Sequence, residues 1–288
     1  MSPTPSKAVL ITGCSSGIGA ATARHLAHLG WTVYATARRP ETLTELEAAG
    51  CRALALDVTD EASMQAAVAA VEAEHGADGV LVNNAGYSQM GAIETVPLEQ
   101  VRAQFETNVF GLVRMCQLVL PGMRAQRFGR IVNVSSMGAN FTFPGGGFYH
   151  ATKYAVEAIS DALRFEVKGF GIDVVIVQPG FIRTGFAEAA TQAMPGGPEE
   201  HGPYERFNDA VAASTHNVYE RGPLTRLGGG PETVARTIER AIASRVPKIR
   251  YRVTPSARLL VGQRALMTDG MWDRFLETQF PHPGDDEG

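Results

Sequence analysis

The sequence predicts a doubly wound α/β fold, a parallel sheet covered by helices on both faces, from three observations. Short apolar runs of strand type recur along the chain. Segments of helical spacing, or loops leading to them, follow each run but the last. No break in composition interrupts this alternation before about Gly185.

In order, the strand candidates are residues 8–11, 32–35, 53–56, 80–82, 131–134, 172–177 and 249–253. The first enters a glycine-rich turn and then a helical pattern through Leu29. After the third, Met64, Val68 and Val71 share one helical face, with Asp60 placed to cap the start and Gly76 to close the end. Val101, Phe105, Leu112, Met115 and Val119 form the apolar stripe of another helix, and further helical patterns cover 155–168 and 231–244. From 185 to 230 the regularity fails, and 194–203 (MPGGPEEHGP) is rich in proline and glycine. Because helix and strand patterns resume afterwards, this stretch reads as an ordered or closing lid; a variable surface excursion is the competing reading. No internal repeat is present, and the expected organisation is a tail over 1–6, one domain over 7–280 that includes the lid, and a tail over 281–288.

Composition narrows the partners. A chain of 288 residues is near the upper end for one domain. With 26 basic against 30 acidic side chains it offers no positive field for nucleic acid or an anionic membrane. A hydrophobic content of 44% and 31 glycines fit a sizeable core with many turns, neither disordered nor fibrous. The 3 cysteines, Cys14, Cys51 and Cys116, lack CxxC or Cys/His spacing, so neither a disulfide framework nor a metal site is expected and a reducing compartment fits. The N-terminus has no apolar leader, and the apolar stretches at 109–120 and 259–266 are short and carry arginine, so a soluble, cytoplasmic protein without a membrane span is expected.

The first strand runs into Thr12-Gly13-Cys14-Ser15-Ser16-Gly17-Ile18-Gly19. Glycines there let backbone amides approach a pyrophosphate, and the following helix start favours the anion. The spacing is not GxGxxG, and a purely structural turn is the alternative. At the end of the second strand, where an NAD site usually presents an acid, stand Ala37 and Arg38. A charge-assisted contact from Arg38 to the 2′-phosphate of NADP is worth roughly 1.5–3 kcal/mol, about tenfold to hundredfold in preference. A solvated pair with Arg39 would explain the same residues.

Tyr149 and Lys153 lie one turn apart in a helical segment, so phenol and ammonium can share a site. At roughly 4 Å and an effective dielectric of about 20, a cation favours phenolate by about 4 kcal/mol, on the order of three pKa units. That would bring the tyrosine into the range of proton transfer, whereas a packed tyrosine beside a surface lysine is the plain alternative. Ser136, at the end of the fifth strand, can hold a carbonyl oxygen while tyrosine donates its proton; Ser135 is expected to turn toward the backbone. Asn108 falls on the apolar stripe of its helix, where its amide needs partners: a water beside the lysine, or neighbouring backbone.

Together, residues 12–19 (TGCSSGIG), Asn83-Asn84-Ala85-Gly86, Asn108, Ser136, Tyr149/Lys153 and Pro179-Gly180 resemble the classical short-chain dehydrogenase/reductase family over roughly 7–184. The resemblance implies a single Rossmann-type domain with a parallel sheet of about seven strands and a small C-terminal lid. It also implies helices over 101–123 and 149–168 that commonly pair subunits, hence a homodimer or homotetramer. Asn108, Ser136, Tyr149 and Lys153 match the catalytic tetrad. Gly13, Ser15, Ser16, Gly17, Ile18 and Gly19 match the pyrophosphate and adenosine-side turn, and Arg38 matches the selector of the 2′-phosphate. Asp57 and Val58 match the pair lining adenine, and Asn84, Ala85 and Gly86 the segment beside the adenosine ribose. Tyr149 and Lys153 would also hold the nicotinamide ribose, and Pro179, Gly180, Ile182 and Thr184 match the stretch that fixes the carboxamide.

The stretch VYATARR, the lid and residues 248–255 (KIRYRVTP) look most similar to the branch of 17β-hydroxysteroid and retinol dehydrogenases. Met90, Phe141, Phe143, Phe148, Phe181 and Phe186 would then wall an apolar substrate site. The expectation is an NADP(H)-dependent oxidoreductase interconverting a hydrophobic ketone or aldehyde and its alcohol. The rival is a non-catalytic NADPH-binding sensor or scaffold of the same fold, against which the intact tetrad counts.

Overall fold

The computed structural model describes residues 6–192, 194, 202–221 and 223–284. Seven strands, β1 (Ala8–Ile11), β2 (Thr32–Ala37), β3 (Arg52–Ala55), β4 (Val80–Asn83), β5 (Gly129–Val134), β6 (Ile172–Gln178) and β7 (Arg250–Arg252), form one sheet in the order β3-β2-β1-β4-β5-β6-β7. Every pairing is parallel. The expected runs differ from these strands only at their ends, as in 249–253 against Arg250–Arg252.

Parallel strands need covered crossovers, and the burial pattern supplies them. Val9, Ile11, Val33, Ala35, Val175 and Val177 point to one face, where α1 (Gly17–His28), the short α2 (Thr44–Ala48) and a later helix over Pro231–Ala243 pack. Ala8, Leu10, Tyr34, Leu81, Ile131 and Val174 point to the other, which α3 (Glu61–His75) and the long helical segments after β4 and β5 cover. Helix α3 has the ends its sequence implies. Asp60 accepts from the Ser63 amide at 3.1 Å, and Gly76 closes the last turn at φ 76°.

After β4 the chain forms α4 (Leu98–Phe105), a π turn (Glu106–Phe110) and α5 (Gly111–Gln126) without a break. After β5 comes α6 (Gly147–Val167), which carries Tyr149 and Lys153. The segment read as irregular contains α7 (Phe186–Gln192), α8 (Glu205–His216) and a π turn (Asn217–Arg221); most of its proline- and glycine-rich stretch, 195–201, lies outside the described residues, as do 1–5 and 285–288. Ser6, expected in the N-terminal tail, is held: its amide donates to Gln126 Oε1 at 3.4 Å and its hydroxyl accepts from Ala8 N at 3.1 Å. The chain ends on α9 (Pro231–Ala243), β7, α10 (Pro255–Leu266) and α11 (Asp269–Glu277). No helix among the described residues is long and apolar enough to cross a membrane.

Candidate active site

The strand order reverses between β1 and β4, which splits the loops at the carboxyl edge and leaves a crevice there. A cleft of about 940 Å³ occupies it. Its floor is the β1–α1 turn. Gly13 (φ 73°) and Gly17 (φ 57°) adopt backbone conformations that favour glycine, and a Cβ on Gly13 would meet Ala85 Cα at 2.8 Å. Ser16 begins α1 without a side-chain cap and no acid stands in the first turn, so the first helical amides face the cleft unspent.

Thr12 and Asn84 build that turn. The Thr12 hydroxyl accepts from the amides of Asn84 and Ala85, both at 3.0 Å, and Asn84 Nδ2 donates to the carbonyls of Thr12 (2.9 Å) and Gly13 (3.0 Å). Asn84 thus holds the floor through its amide. Gly19 stands behind the turn, where a Cβ would collide with the Gly13 carbonyl and Asn84 Nδ2. Along the β2–β3 side the cleft is lined by Ala37, Arg38, Asp57 and Val58. Asp57 Oδ1 is engaged by Thr59 through its amide (2.9 Å) and hydroxyl (2.7 Å), whereas Arg38 is exposed and forms no ion pair among the described residues.

Ser136, Tyr149 and Lys153 line the same cleft, together with Pro179, Gly180, Ile182 and Thr184. Helix α6 is set against the sheet by a buried polar ladder: Asn83 Nδ2 donates to Asn133 Oδ1 (3.0 Å), and Asn133 Nδ2 to Ser160 Oγ (2.8 Å). Lys153 Nζ donates to the Val134 carbonyl at 3.0 Å and lies 5.7 Å from the Tyr149 ring centroid. Burial pushes Tyr149 up to about 12, with the Ser136 hydroxyl acting in the opposite direction. It pushes Lys153 down to about 8, against the pull of Glu157 one turn further along α6. The direction on Tyr149 is opposite to the lowering expected from the lysine alone: desolvation penalises phenolate and ammonium alike, and the ammonium's hydrogen bond goes to backbone.

Asn108 sits in the π turn between α4 and α5, buried and behind the cleft wall. Its Oδ1 accepts from Tyr87 N (3.0 Å), and Nδ2 donates to Tyr87 O (2.8 Å) and Thr152 Oγ1 (3.1 Å). Protein groups therefore meet the demand of its side chain, as in the second reading of that position. Ser135 donates its amide to Val177 O at 2.8 Å, while its buried hydroxyl has no hydrogen-bond partner, so that side chain is not turned to backbone.

Of the apolar walls expected from sequence, Phe186 alone lines the cleft. Phe141 and Phe143 pack on Trp272 of α11, at 5.5 and 6.0 Å between ring centroids, and Phe181 joins the same cluster. Met90 lies against α8 residues, and Phe148 is half-buried outside the lining. The aromatic residues are drawn to the C-terminal helices, a partner no local pattern announces. In their place Tyr219 and Ala189 of the lid, with Tyr87 and Ser88 after the β4 motif, complete the wall. Tyr219 meets Phe186 at 6.3 Å, and Phe186 meets Tyr149 at 5.6 Å.

Fold and cleft together define a Rossmann-type α/β domain with a glycine-floored crevice at its switch point, and comparison with known proteins gives the class. A family model described as short chain dehydrogenase matches residues 7–195. The chain is 38% identical over 265 residues to a 3-ketodihydrosphingosine reductase of Bacteroides thetaiotaomicron, covering 91% of this chain and 94% of that protein. It is 33% identical over 278 residues to an NADPH-dependent 3-dehydrocapnine reductase of Ornithobacterium rhinotracheale, covering 93% and 95% respectively. A short-chain dehydrogenase structure from Streptomyces avermitilis superposes with a TM-score of 0.77 at 35% identity over 94% of this chain and 96% of that one. The protein belongs to the short-chain dehydrogenase/reductase family and is an oxidoreductase of that family.

Proposed function

We propose that the protein is an NADP(H)-dependent oxidoreductase that interconverts a hydrophobic ketone or aldehyde and its alcohol, most directly as a carbonyl reductase. The observation that carries this reading is the convergence of Ser136, Tyr149 and Lys153 on the cleft floored by the Gly13–Gly17 turn. The cofactor fits the residues present: a Cβ would fill the cradle at Gly13, the α1 amides suit a pyrophosphate, and Arg38 suits a 2′-phosphate. Gly13, Ser15, Ser16, Gly17 and Ile18 would hold the diphosphate side. Arg38, Asp57 and Val58 would hold the adenosine, and Tyr149, Lys153, Pro179, Gly180, Ile182 and Thr184 the nicotinamide side. When bound, that cofactor supplies or accepts the hydride.

The chain's own residues supply the rest. Ser136 Oγ accepts from Gly138 N at 3.1 Å, which leaves its hydrogen for a carbonyl oxygen. Tyr149, a phenol at neutral pH, gives its proton to that oxygen in the reducing direction, and Lys153 balances the phenolate so formed. Asn108 holds the Tyr87 backbone at the rim and, in this reading, sustains the relay that returns the proton. The relatives named as reductases of 3-keto and 3-dehydro compounds favour a ketone and the reducing direction, and Phe186, Ala189 and Tyr219 favour an apolar body beside it.

A homo-oligomer belongs to the same reading, supported by Phe110 (55% exposed) before α5 and Phe165 (84% exposed) on α6. So does a reducing, cytoplasmic setting, supported by three free, buried cysteines. The test is NADPH oxidation against a panel of hydrophobic ketones and aldehydes. Tyr149→Phe should lower turnover by about two to four orders of magnitude while NADPH binding persists. Tight NADPH binding with no turnover of any carbonyl would instead favour a sensor or scaffold.

A further inference from the structure

His150 follows the proposed acid in α6, and its imidazole is buried with 7% exposure. Its Nδ1 lies 2.6 Å from the Gly138 carbonyl, and Phe143 N donates to its Nε2 at 3.2 Å. A carbonyl only accepts and a backbone amide only donates, so Nδ1 carries the proton and Nε2 is bare. The neutral ring is thereby fixed in one tautomer. Rings of Phe141, Phe143 and Tyr149 hem it at centroid distances of 6.4, 6.2 and 5.8 Å. Burial pushes the imidazole below its ordinary range, which keeps it neutral.

Gly138 is held from both ends. Its carbonyl binds His150, and its amide donates to Ser136 Oγ at 3.1 Å. The ring lies tight against that backbone, for a Cβ on Gly138 would meet His150 Nδ1 at 2.6 Å and Cε1 at 2.7 Å. An uninterrupted chain of contacts thus runs from the residue after Tyr149, through Gly138, to the Ser136 oxygen. We propose that His150 is a positioning residue: by holding Gly138 it fixes Ser136 Oγ where serine and Tyr149 can address one carbonyl oxygen. The contact with Phe143 seats the ring, and the effect on chemistry passes through Gly138. This inference rests on the carbonyl-reductase reading above.

Two substitutions separate the ring's bonds. His150→Asn places an amide nitrogen near Nδ1 and retains donation to Gly138, whereas His150→Gln places an acceptor near Nε2 and retains only the Phe143 contact. His150→Phe retains the ring and removes both. With NADPH and a turned-over ketone, His150→Phe should lower kcat about tenfold to hundredfold with NADPH affinity unchanged. His150→Asn should recover most of that loss and His150→Gln little of it. In a Ser136→Ala background His150→Phe should cost nothing further. Gly138→Ala, which keeps the histidine but displaces it, should lower kcat in the same way and covers the case in which His150→Phe does not fold. The proposal is overturned by wild-type kcat in His150→Phe or in Gly138→Ala, by equal recovery in the Gln and Asn variants, or by losses that multiply with Ser136→Ala. An active wild type with indifferent His150 variants refutes this inference alone; a wild type inactive on every carbonyl refutes the functional reading beneath it.

Discussion

Where the cleft faces β1 and β4 it is lined by contiguous, glycine-bearing segments: the Gly13–Gly17 turn, the opening of α1 and the loop of Asn84, Ala85 and Gly86. Where it faces the lid it is walled by side chains, Phe186, Ala189, Tyr219 and Tyr149, brought from segments far apart in the chain. The first wall is fixed by short-range geometry, since Gly13 and Gly19 stand against specific backbone atoms and Thr12 and Asn84 bind its carbonyls and amides directly. The second depends on which of many aromatic residues the C-terminal helices capture. The two walls should therefore answer differently to substitution: the glycine wall by loss of cofactor affinity and fold together, the lid wall by change of substrate preference alone.

Gly13→Ala should have the largest effect. The new Cβ meets Ala85 Cα at 2.8 Å, at a residue with φ 73°, a strain of about 1–3 kcal/mol. NADPH affinity should fall by up to about a hundredfold, with a lower thermal midpoint; titration calorimetry and a melting curve read both. Unchanged binding would mean that the turn is not the anion cradle and would erase the distinction between the walls. Arg38→Glu comes next and is narrower. Arg38 forms no ion pair among the described residues, so its loss should leave the fold intact while weakening NADPH about tenfold to hundredfold and NADH little. Equal losses for both cofactors would give the arginine a purely structural part.

The same contrast explains what was legible beforehand. The β1–α1 turn, the Asn83–Gly86 segment and the Tyr149/Lys153 pair are contiguous or one turn apart, so their residue types declare their geometry. Strand positions were readable because strands buried on both faces are continuous apolar runs. His150 was hidden because its partners, Gly138 and Phe143, gain meaning only once the chain folds back on α6. Tyr219 was hidden inside a stretch whose composition suggested irregularity yet folds into α7, α8 and a π turn. Phe141, Phe143 and Phe181 were misplaced for the converse reason: an aromatic residue near a motif says nothing of Trp272 at the far end of the chain. The upward shift on Tyr149 is not legible in the sequence because Coulomb attraction is visible in a spacing and desolvation is not.

Phe186→Ala tests the lid wall and should have a smaller effect. Its ring bridges Tyr149 and Tyr219 at 5.6 and 6.3 Å. Removing part of an apolar wall costs on the order of 1–2 kcal/mol of substrate contact, so KM for an apolar ketone should rise about fivefold to thirtyfold. NADPH affinity and the KM for a small, polar carbonyl should hold. A matching loss for both substrates would show that the lid wall supports the fold rather than selects the ligand.

The smallest effect on either wall should come from a position outside the cleft lining, Asp78 in the α3–β4 loop, which serves as a control for both. Its carboxylate is fully buried with neither oxygen hydrogen-bonded, and burial, reinforced by Glu72, pushes it from an ordinary 3.8 up to about 8. Between those values the folded chain keeps a proton that the unfolded chain has lost, so stability is full below the lower value, falls as pH rises through the window and levels off above it. Each pH unit over which that difference persists is worth about 1.4 kcal/mol, or roughly 3–6 °C in a domain of somewhat smaller size. Asp78→Asn removes the titration. Its melting temperature should exceed the wild type's most at pH 8, and the gap should shrink toward pH 5 as the proton that the folded wild type holds becomes easier to take up. Melting curves for the two chains that run parallel across that range would refute the assignment. A change in NADPH affinity at fixed pH would show that the loop beneath β4 communicates with the glycine turn, so that the cofactor wall is less local than its geometry suggests.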